Sequence, residues 1–197
     1  MAAPVLSADG PAAMKIQRWT TIETEIVYRT PILDLHRRRS THRHRGERDF
    51  FVLDAPDWVN IIPLTAKREV VMIRQWRHGI ADFTLEIPGG MVDAGDPSPR
   101  YAARREMREE TGYDSARIVA LGRVHPNPAI QPNVCHSFLA RGVRLTSTPQ
   151  FDSAEETEVE LVPLSRIRPL IVSGRIMHAL TIAAFSFFQI YKSPRLK

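Results

Sequence analysis

The segment Arg105-Glu-Met-Arg-Glu-Glu-Thr-Gly112 decides how this chain folds and what it can hold. Glu106, Glu109 and Glu110 stand at i, i+3 and i+4, so at about 100° per residue their carboxylates share one arc of a helix. Ser98 followed by Pro99 predicts where that helix starts. A serine side chain accepts from the free amides of a first turn, and proline lacks only an amide that would have no partner there. Gly112 predicts the stop, because glycine takes the left-handed conformation that closes many helices. Ala102, Ala103 and Met107 then form the buried stripe. The same reading exposes a conflict. Like charges at this spacing weaken a helix by a few tenths of a kcal/mol per pair. They also lie toward its C-terminal end, where the helix dipole disfavours anions. A solvated acidic face balanced by Arg104, Arg105 and Arg108 would account for the glutamates taken alone. The glycine-rich run just upstream, Gly89-Gly-Met-Val-Asp-Ala-Gly-Asp96, tips the balance toward a site for a hard divalent cation such as Mg²⁺, which takes oxygen ligands and bridges carboxylates to phosphates.

Upstream of that segment, residues 22–28 alternate as a half-buried strand does. Phe50 to Leu53, Trp58 to Leu64 and Val70 to Trp76 read as further strands. Val70, Val71, Met72 and Ile73 are apolar without alternation, as in a strand covered on both faces. Downstream, strands are expected near 117–124, 134–139 and 159–162. Ser173 and Gly174 are expected to open a last helix, with Ile176, Leu180, Ala183, Ala184, Phe187 and Tyr191 on its packed face. Strands interleaved with two packed helices predict an α/β layered domain.

The 197 residues, 43% hydrophobic and 25% charged, are those of an ordinary globular domain with a core of its own. A single cysteine, Cys135, forms no internal disulfide and no zinc cage. The N-terminal MAAPVLSADGPAAM reads as a leader of small residues without the basic start and apolar run of a signal peptide. Ile176 to Tyr191 is too short and too polar to span a bilayer. These features make the cytoplasm the expected location. The formal charge is +5, and residues 36–48 (HRRRSTHRHRGER), with six arginines against one glutamate, carry all of it. The remainder balances, so the charge describes one local arm rather than a nucleic-acid-binding surface.

Gly90 and Asp96, followed by Arg105-Glu-Met-Arg-Glu-Glu-Thr-Gly-Tyr113, resemble the Nudix box, a loop-helix-loop site of Gly, five residues, Glu, seven residues, then Arg-Glu-apolar-x-Glu-Glu-x-Gly-apolar. Two departures stand out. The first glutamate of the pattern is Asp96 here, and eight residues rather than seven separate it from Arg105. The extra residue is placed at Pro97-Ser98, before the helix. Asp54-Ala-Pro-Asp-Trp-Val-Asn60, Arg74-Gln-Trp-Arg77, Leu85-Glu-Ile-Pro-Gly-Gly90 and His125-Pro-Asn-Pro128 resemble the branch of that family that acts on ADP-ribose and nucleotide sugars. The resemblance implies an α/β/α sandwich with a mixed sheet, preceded by an antiparallel strand arm that pairs two copies into a homodimer. It divides the chain into a leader (1–18), an arm (19–56, with the basic segment at its turn), a Nudix domain (57–192) and a tail (193–197).

The resemblance also implies the site. Glu106, Glu109, Glu110 and the carbonyl of Gly89 would hold Mg²⁺, with Mn²⁺ a possible substitute. A late-loop glutamate, Glu155 or Glu156, would serve as ligand or base. Arg105 would brace the loop. Arg77 resembles an arginine that holds substrate phosphate, and Glu86 is either a metal or substrate contact or half of a strand-end salt bridge. Trp58 and Trp76 either stack a base or sugar or belong to the core. The expected reaction is hydrolysis of the diphosphate bridge of ADP-ribose or a nucleoside-diphosphate sugar. The alternatives are a Nudix pyrophosphatase for nucleoside triphosphates, dinucleotides or capped RNA, and a Nudix-like binding module without turnover.

Overall fold

The structure is a computed structural model that describes residues 16–150 and 156–193. Most of the expected leader, the late-loop Glu155 and the tail beyond Ser193 lie outside the described residues. The chain divides into two compact units with the boundary between Leu53 and Asp54.

The first unit is a three-stranded sheet of β1 (Thr20–Arg29), β2 (Asp34–His42) and β3 (Gly46–Asp54), in that order. β1 and β2 are antiparallel, with Glu23 opposite Arg39 and Glu25 opposite Arg37. The basic segment 36–48 spans the turn between β2 and β3. Most of it is strand, and only the residues between His42 and Gly46 turn, closed by Arg45 N–H donating to the His42 carbonyl at 3.1 Å. The reason is pairing: Arg37 reaches Glu25 at 2.6 Å and Arg39 reaches Asp49 at 3.0 Å. Opposite charges facing each other across strands support a ladder that a run of arginines alone would not.

The second unit is built on a mixed sheet of β4 (Trp58–Thr65), β5 (Glu69–Arg77), β6 (Asp82–Glu86), β7 (Gly89–Met91), β8 (Tyr113–Asp114), β9 (Ile118–Val124), β10 (Cys135–Leu145) and β11 (Thr157–Pro163). Its main path runs β11-β5-β4-β10-β8, and β4 and β10 are parallel. β4 and β5 pair at Leu64 and Val70, and beyond that point the sheet forks: β4 pairs with β7 and β5 with β6. The short crossing from Glu86 to Gly89 bridges the fork, which sets the glycine run at the sheet's open end.

Alternation along the central strands builds two cores. Val59 and Ile61 of β4 and Val71 of β5 pack with Ala102, Ala103 and Met107 of α1 (Pro99–Thr111). Ile62, Val70 and Met72 pack on the other face with Phe185 and Phe188 of α3 (Ala179–Lys192). Each fully buried side chain of this size contributes about 1.5–3 kcal/mol. A helix on either face of a mixed sheet is the expected α/β/α sandwich.

The last helix differs from its expected form in start and face. Ser173 and Gly174 end a short helix, α2 (Ile167–Val172), and α3 begins only at Ala179. Ile176 is buried in the connection, Tyr191 is exposed, and the buried face runs through Thr181, Ala184, Phe185 and Phe188. That set is also spaced i, i+3, i+4, i+7, and it buries two phenylalanines, so it wins over the stripe rotated from it.

Outside the site, α1 is tied to β8 by Arg104, whose Nε and Nη2 donate to the two carboxylate oxygens of Asp114 at 2.7 and 2.8 Å. This pairing, against the opposing effect of burial, holds the Asp114 carboxyl below its ordinary pKa. A depressed folded-state value stabilises the fold above the unfolded value near 3.8 and is lost as pH falls through the folded one. Arg104 is 43% exposed, so solvent screens the pair and its worth is about 1 kcal/mol. Asp114→Asn should therefore melt lower than the parent chain at pH 7, with the gap closing as pH drops below 3.8. Thermal melts from pH 7 to 3 check this, and a gap that widens in acid would refute it.

Candidate active site

The ends of α1 are fixed as its sequence demands. The Ser98 hydroxyl accepts from Tyr101 N–H at 3.2 Å, Pro99 occupies the first turn, and Gly112 closes the helix at φ 72°. The residue that lengthens the interval between Asp96 and Arg105 therefore falls outside the helix, and the spacing of the three glutamates is untouched.

Two of the three meet the glycine run. Glu110 is 2% exposed, and its carboxylate accepts the Gly89 N–H at 2.9 Å. The Glu106 carboxylate lies so close over Gly90 that a Cβ there would stand 2.4 Å from Oε1. Glu109 is half-buried at the rim. Arg105 joins the parts: Nη1 donates to Glu106 at 3.0 Å and Glu109 at 2.9 Å, and Nη2 donates to the Met91 carbonyl at 3.1 Å. Asp96 grips the same guanidinium through both oxygens, at 3.2 and 2.9 Å. The Asp96 hydrogen bond, against burial and with help from Glu106 and Glu109, raises the Arg105 pKa still further, so this side chain stays a cation and braces rather than transfers protons. Asp96 in turn is held below its ordinary pKa by Arg105.

The donor set suits a hard divalent cation, since every candidate ligand is an oxygen. Gly90 leaves room for the Glu106 carboxylate that any side chain would take. Among the described residues, no three carboxylate, imidazole or thiol side chains converge on one point. Arg105 stands between Glu106 and Glu109, and Glu110 turns to the Gly89 amide, so a cation would exchange with these contacts.

A second cluster links β5, β6 and the start of α3. Arg77 donates through Nε and Nη2 to the two oxygens of Glu86, both at 2.8 Å, and Glu86 is 1% exposed. Thr84 Oγ1 also donates to Glu86. His178 Nδ1 lies 3.1 Å from Glu86 Oε2 and 3.1 Å from Thr181 Oγ1. Burial opposes ionisation of Glu86, but Arg77 and His178 outweigh it and keep its pKa below the ordinary glutamate value. His178 is pushed by burial toward its neutral form. Glu86 thus faces Arg77, and the two sequence candidates form one unit with the guanidinium on the more exposed side.

The other candidates are more scattered. Thr157 Oγ1 donates to the Glu110 carbonyl at 2.9 Å, which brings the exposed Glu156 beside the same helix turn. Trp76 is 42% exposed and stands edge-on to Phe83, with ring centroids 5.2 Å apart. Trp58 is half-buried at the start of β4, across from Met91. Sequence reasoning missed His178, Thr157 and the bracing role of Asp96. No local pattern marks the first two, because folding alone brings residue 178 to 86 and residue 157 to 110. Asp96 had a signal, its place in the box, that its changed residue type obscured.

Comparison with known proteins places the chain in a family. At 26% identity over 90% of this chain and 96% of the other, it is similar to an ADP-ribose pyrophosphatase of Bacillus subtilis. It is 27% identical to a GDP-mannose pyrophosphatase of Salmonella typhimurium, over 79% of this chain and 84% of that one. A solved structure described as an ADP compounds hydrolase shares the fold with a TM-score of 0.79 at 19% identity, covering 91% of this chain and 96% of that one. The model of the NUDIX domain matches residues 55–180, well over half of the sequence, and the chain belongs to that family.

Proposed function

We propose that this chain is a hydrolase of phosphorus-containing anhydrides that cleaves the diphosphate bond of ADP-ribose or a nucleoside-diphosphate sugar, giving a nucleoside monophosphate and a sugar phosphate. One observation carries the reading: Glu106 and Glu110 lie against Gly90 and Gly89 on a helix whose sequence and fold match the family. The relatives named for ADP-ribose and GDP-mannose hydrolysis support the substrate class.

Glu106, Glu109 and Glu110, with the Gly89 carbonyl, would hold Mg²⁺ or Mn²⁺. Such a cation, when bound, neutralises phosphate oxygens and favours deprotonation of water. The chain's own residues do the rest. Arg105 and Asp96 keep the glycine loop and the carboxylates in register. Arg77, fixed by Glu86 and backed by His178, presents a pre-oriented guanidinium to a phosphate, where positioning supplies much of the rate. A glutamate, Glu156 or Glu155 of the late loop or one of the helix, accepts the proton of the attacking water. Trp58 and Trp76 are proposed to contact base or sugar.

A homodimer through the arm belongs to the same proposal. β1 is an edge strand that exposes Ile22, Ile26, Val27 and Tyr28, the kind of apolar edge that pairs with a second copy. Among the described residues no helix is long and apolar enough to cross a membrane. The cytoplasm is the proposed location.

Turnover of ADP-ribose, GDP-mannose, a dinucleotide, a nucleoside triphosphate and capped RNA in ¹⁸O-water tests the reading. The expected result is preferred cleavage of the first two, with one ¹⁸O entering a single product of each. Turnover confined to the triphosphate or the capped RNA would replace this substrate class. Absence of turnover on all five with either metal, beside measurable binding, would mark a module without catalysis.

A further inference from the structure

The face of α1 that carries Tyr101 and Arg108 lines a groove that adjoins the candidate active site at Arg105 and Glu109. Tyr101, Arg104, Arg105 and Arg108 form one wall, and Ser147 and Gln150 lie opposite, around a cavity of about 260 Å³. Tyr101, Arg104 or Arg105, and Arg108 follow the i, i+3 or i+4, i+7 spacing of a single stripe. The far wall is pinned at two points: Ser147 N–H donates to the Gly112 carbonyl at 3.2 Å, and Gln150 N–H donates to the Glu109 carbonyl at 2.8 Å. The groove is therefore held open by backbone bonds to the helix itself.

Its charge is lopsided. Among the described residues the lining carries three guanidinium groups against one carboxylate, Glu109. Arg104 is engaged by Asp114 and Arg105 by its web of carboxylates. Arg108 is exposed and makes no hydrogen bond or ion pair with an acid among the described residues. Arg104 and Arg108 stand four residues apart, a like-charge spacing that weakens a helix. The Asp114 carboxylate that Arg104 grips also feels the charge of Arg108 and offsets part of it, which leaves Arg108 as the guanidinium with donors to spare. A phosphate monoester carries close to two negative charges at neutral pH and offers three oxygens to planar guanidinium forks. Tyr101, 53% exposed, adds an aromatic surface with a hydroxyl at its edge, suited to the mixed apolar and polar face of a sugar.

We infer that this groove is a second binding site, for a phosphate monoester of a small sugar or nucleoside, read by Arg108 with Arg104 and flanked by Tyr101. The proposed reaction releases esters of this class. The groove shares Arg105 and Glu109 with the candidate active site, so occupancy there would be felt at the rim of the catalytic carboxylates.

The test is titration of the full chain, in EDTA so that no cation recruits phosphate to the glutamates. Inorganic phosphate, ribose 5-phosphate and AMP are the probes, followed by calorimetry and by the arginine Nε–H signals in NMR. All three should bind saturably and shift the Arg108 signal. The tighter of the two organic esters identifies the source of the ligand. Arg108→Gln should weaken each about tenfold, and Tyr101→Ala should weaken the organic esters more than inorganic phosphate. Both side chains are exposed, and unchanged melting would show that the fold is intact. Glu110→Gln should leave binding as it was. The site is refuted if no probe saturates, if Arg108→Gln binds like the parent chain, or if Glu110→Gln abolishes binding, which would place the phosphate at the catalytic helix face instead. Because no turnover is measured, loss of this site and loss of the hydrolytic reading are separate results.

Discussion

Glu110→Gln should lower turnover of a diphosphate substrate roughly 10²–10³-fold, the usual size of losing one group that stabilises charge in a transition state. The substitution keeps the shape of the side chain and an oxygen able to accept the Gly89 amide, so the contact at 2.9 Å can persist. What disappears is the negative charge that would draw a cation between helix and glycine loop. Replacing a buried carboxylate by a neutral isostere also relieves repulsion from Glu106 on the same helix arc. The melting temperature should accordingly stay the same or rise. Steady-state kinetics over a range of Mg²⁺ concentrations, run beside a thermal melt, distinguish a chemical loss from a structural one. Near-normal turnover at saturating metal would remove Glu110 from the ligand set.

Gly89→Ala and Gly90→Ala should fail in different ways although they are neighbours. A Cβ at Gly89 would stand 2.2 Å from the Val59 carbonyl oxygen and 2.8 Å from the Asn60 Cα, both main-chain atoms of β4. Main chain in a paired strand cannot step aside cheaply, and overpacking of this kind costs about 1–3 kcal/mol or more. For a domain of this size that lowers Tm by roughly 2–4 °C per kcal/mol. At Gly90 the obstructing atoms belong to the Glu106 carboxylate, the mobile end of a long side chain. Gly90→Ala should keep most of its stability and lose activity, because the carboxylate must leave its place. Melting curves and kcat on both variants check the contrast. Equal loss of Tm would mean that Glu106 is held as rigidly as the strand.

The sequence was most legible where one short segment determines its own structure. The serine cap, Pro99, the glutamate spacing and Gly112 are local signals, and α1 runs between the residues they mark. The two-sided core could be read from the apolar run at Val70 to Ile73 for a similar reason, since a strand's alternation is local. The arm was harder. A run of arginines suggests an exposed turn until Glu23, Glu25 and Asp49 are seen across from it, and that pairing is a property of register. The final helix differs from its expected face because two stripes that share only Ala184 both carry bulky apolar side chains, and only the packed sheet selects Phe185 and Phe188. His178 lay furthest from inference: 92 positions separate it from Glu86, and nothing near either residue announces the other.

The parallel pairing of β4 with β10 also governs how this molecule comes into being. Asp57 and Val134, hydrogen-bonded at the head of that pair, are 77 positions apart. A hairpin can zip as it emerges, but a parallel pair must wait for its distant partner and bear the entropy of closing the intervening loop. During synthesis at about 5–20 residues per second, β4 therefore spends several seconds with one edge unsatisfied. The nascent chain would carry α1 and its three acidic side chains well before it has a completed sheet against which to set them.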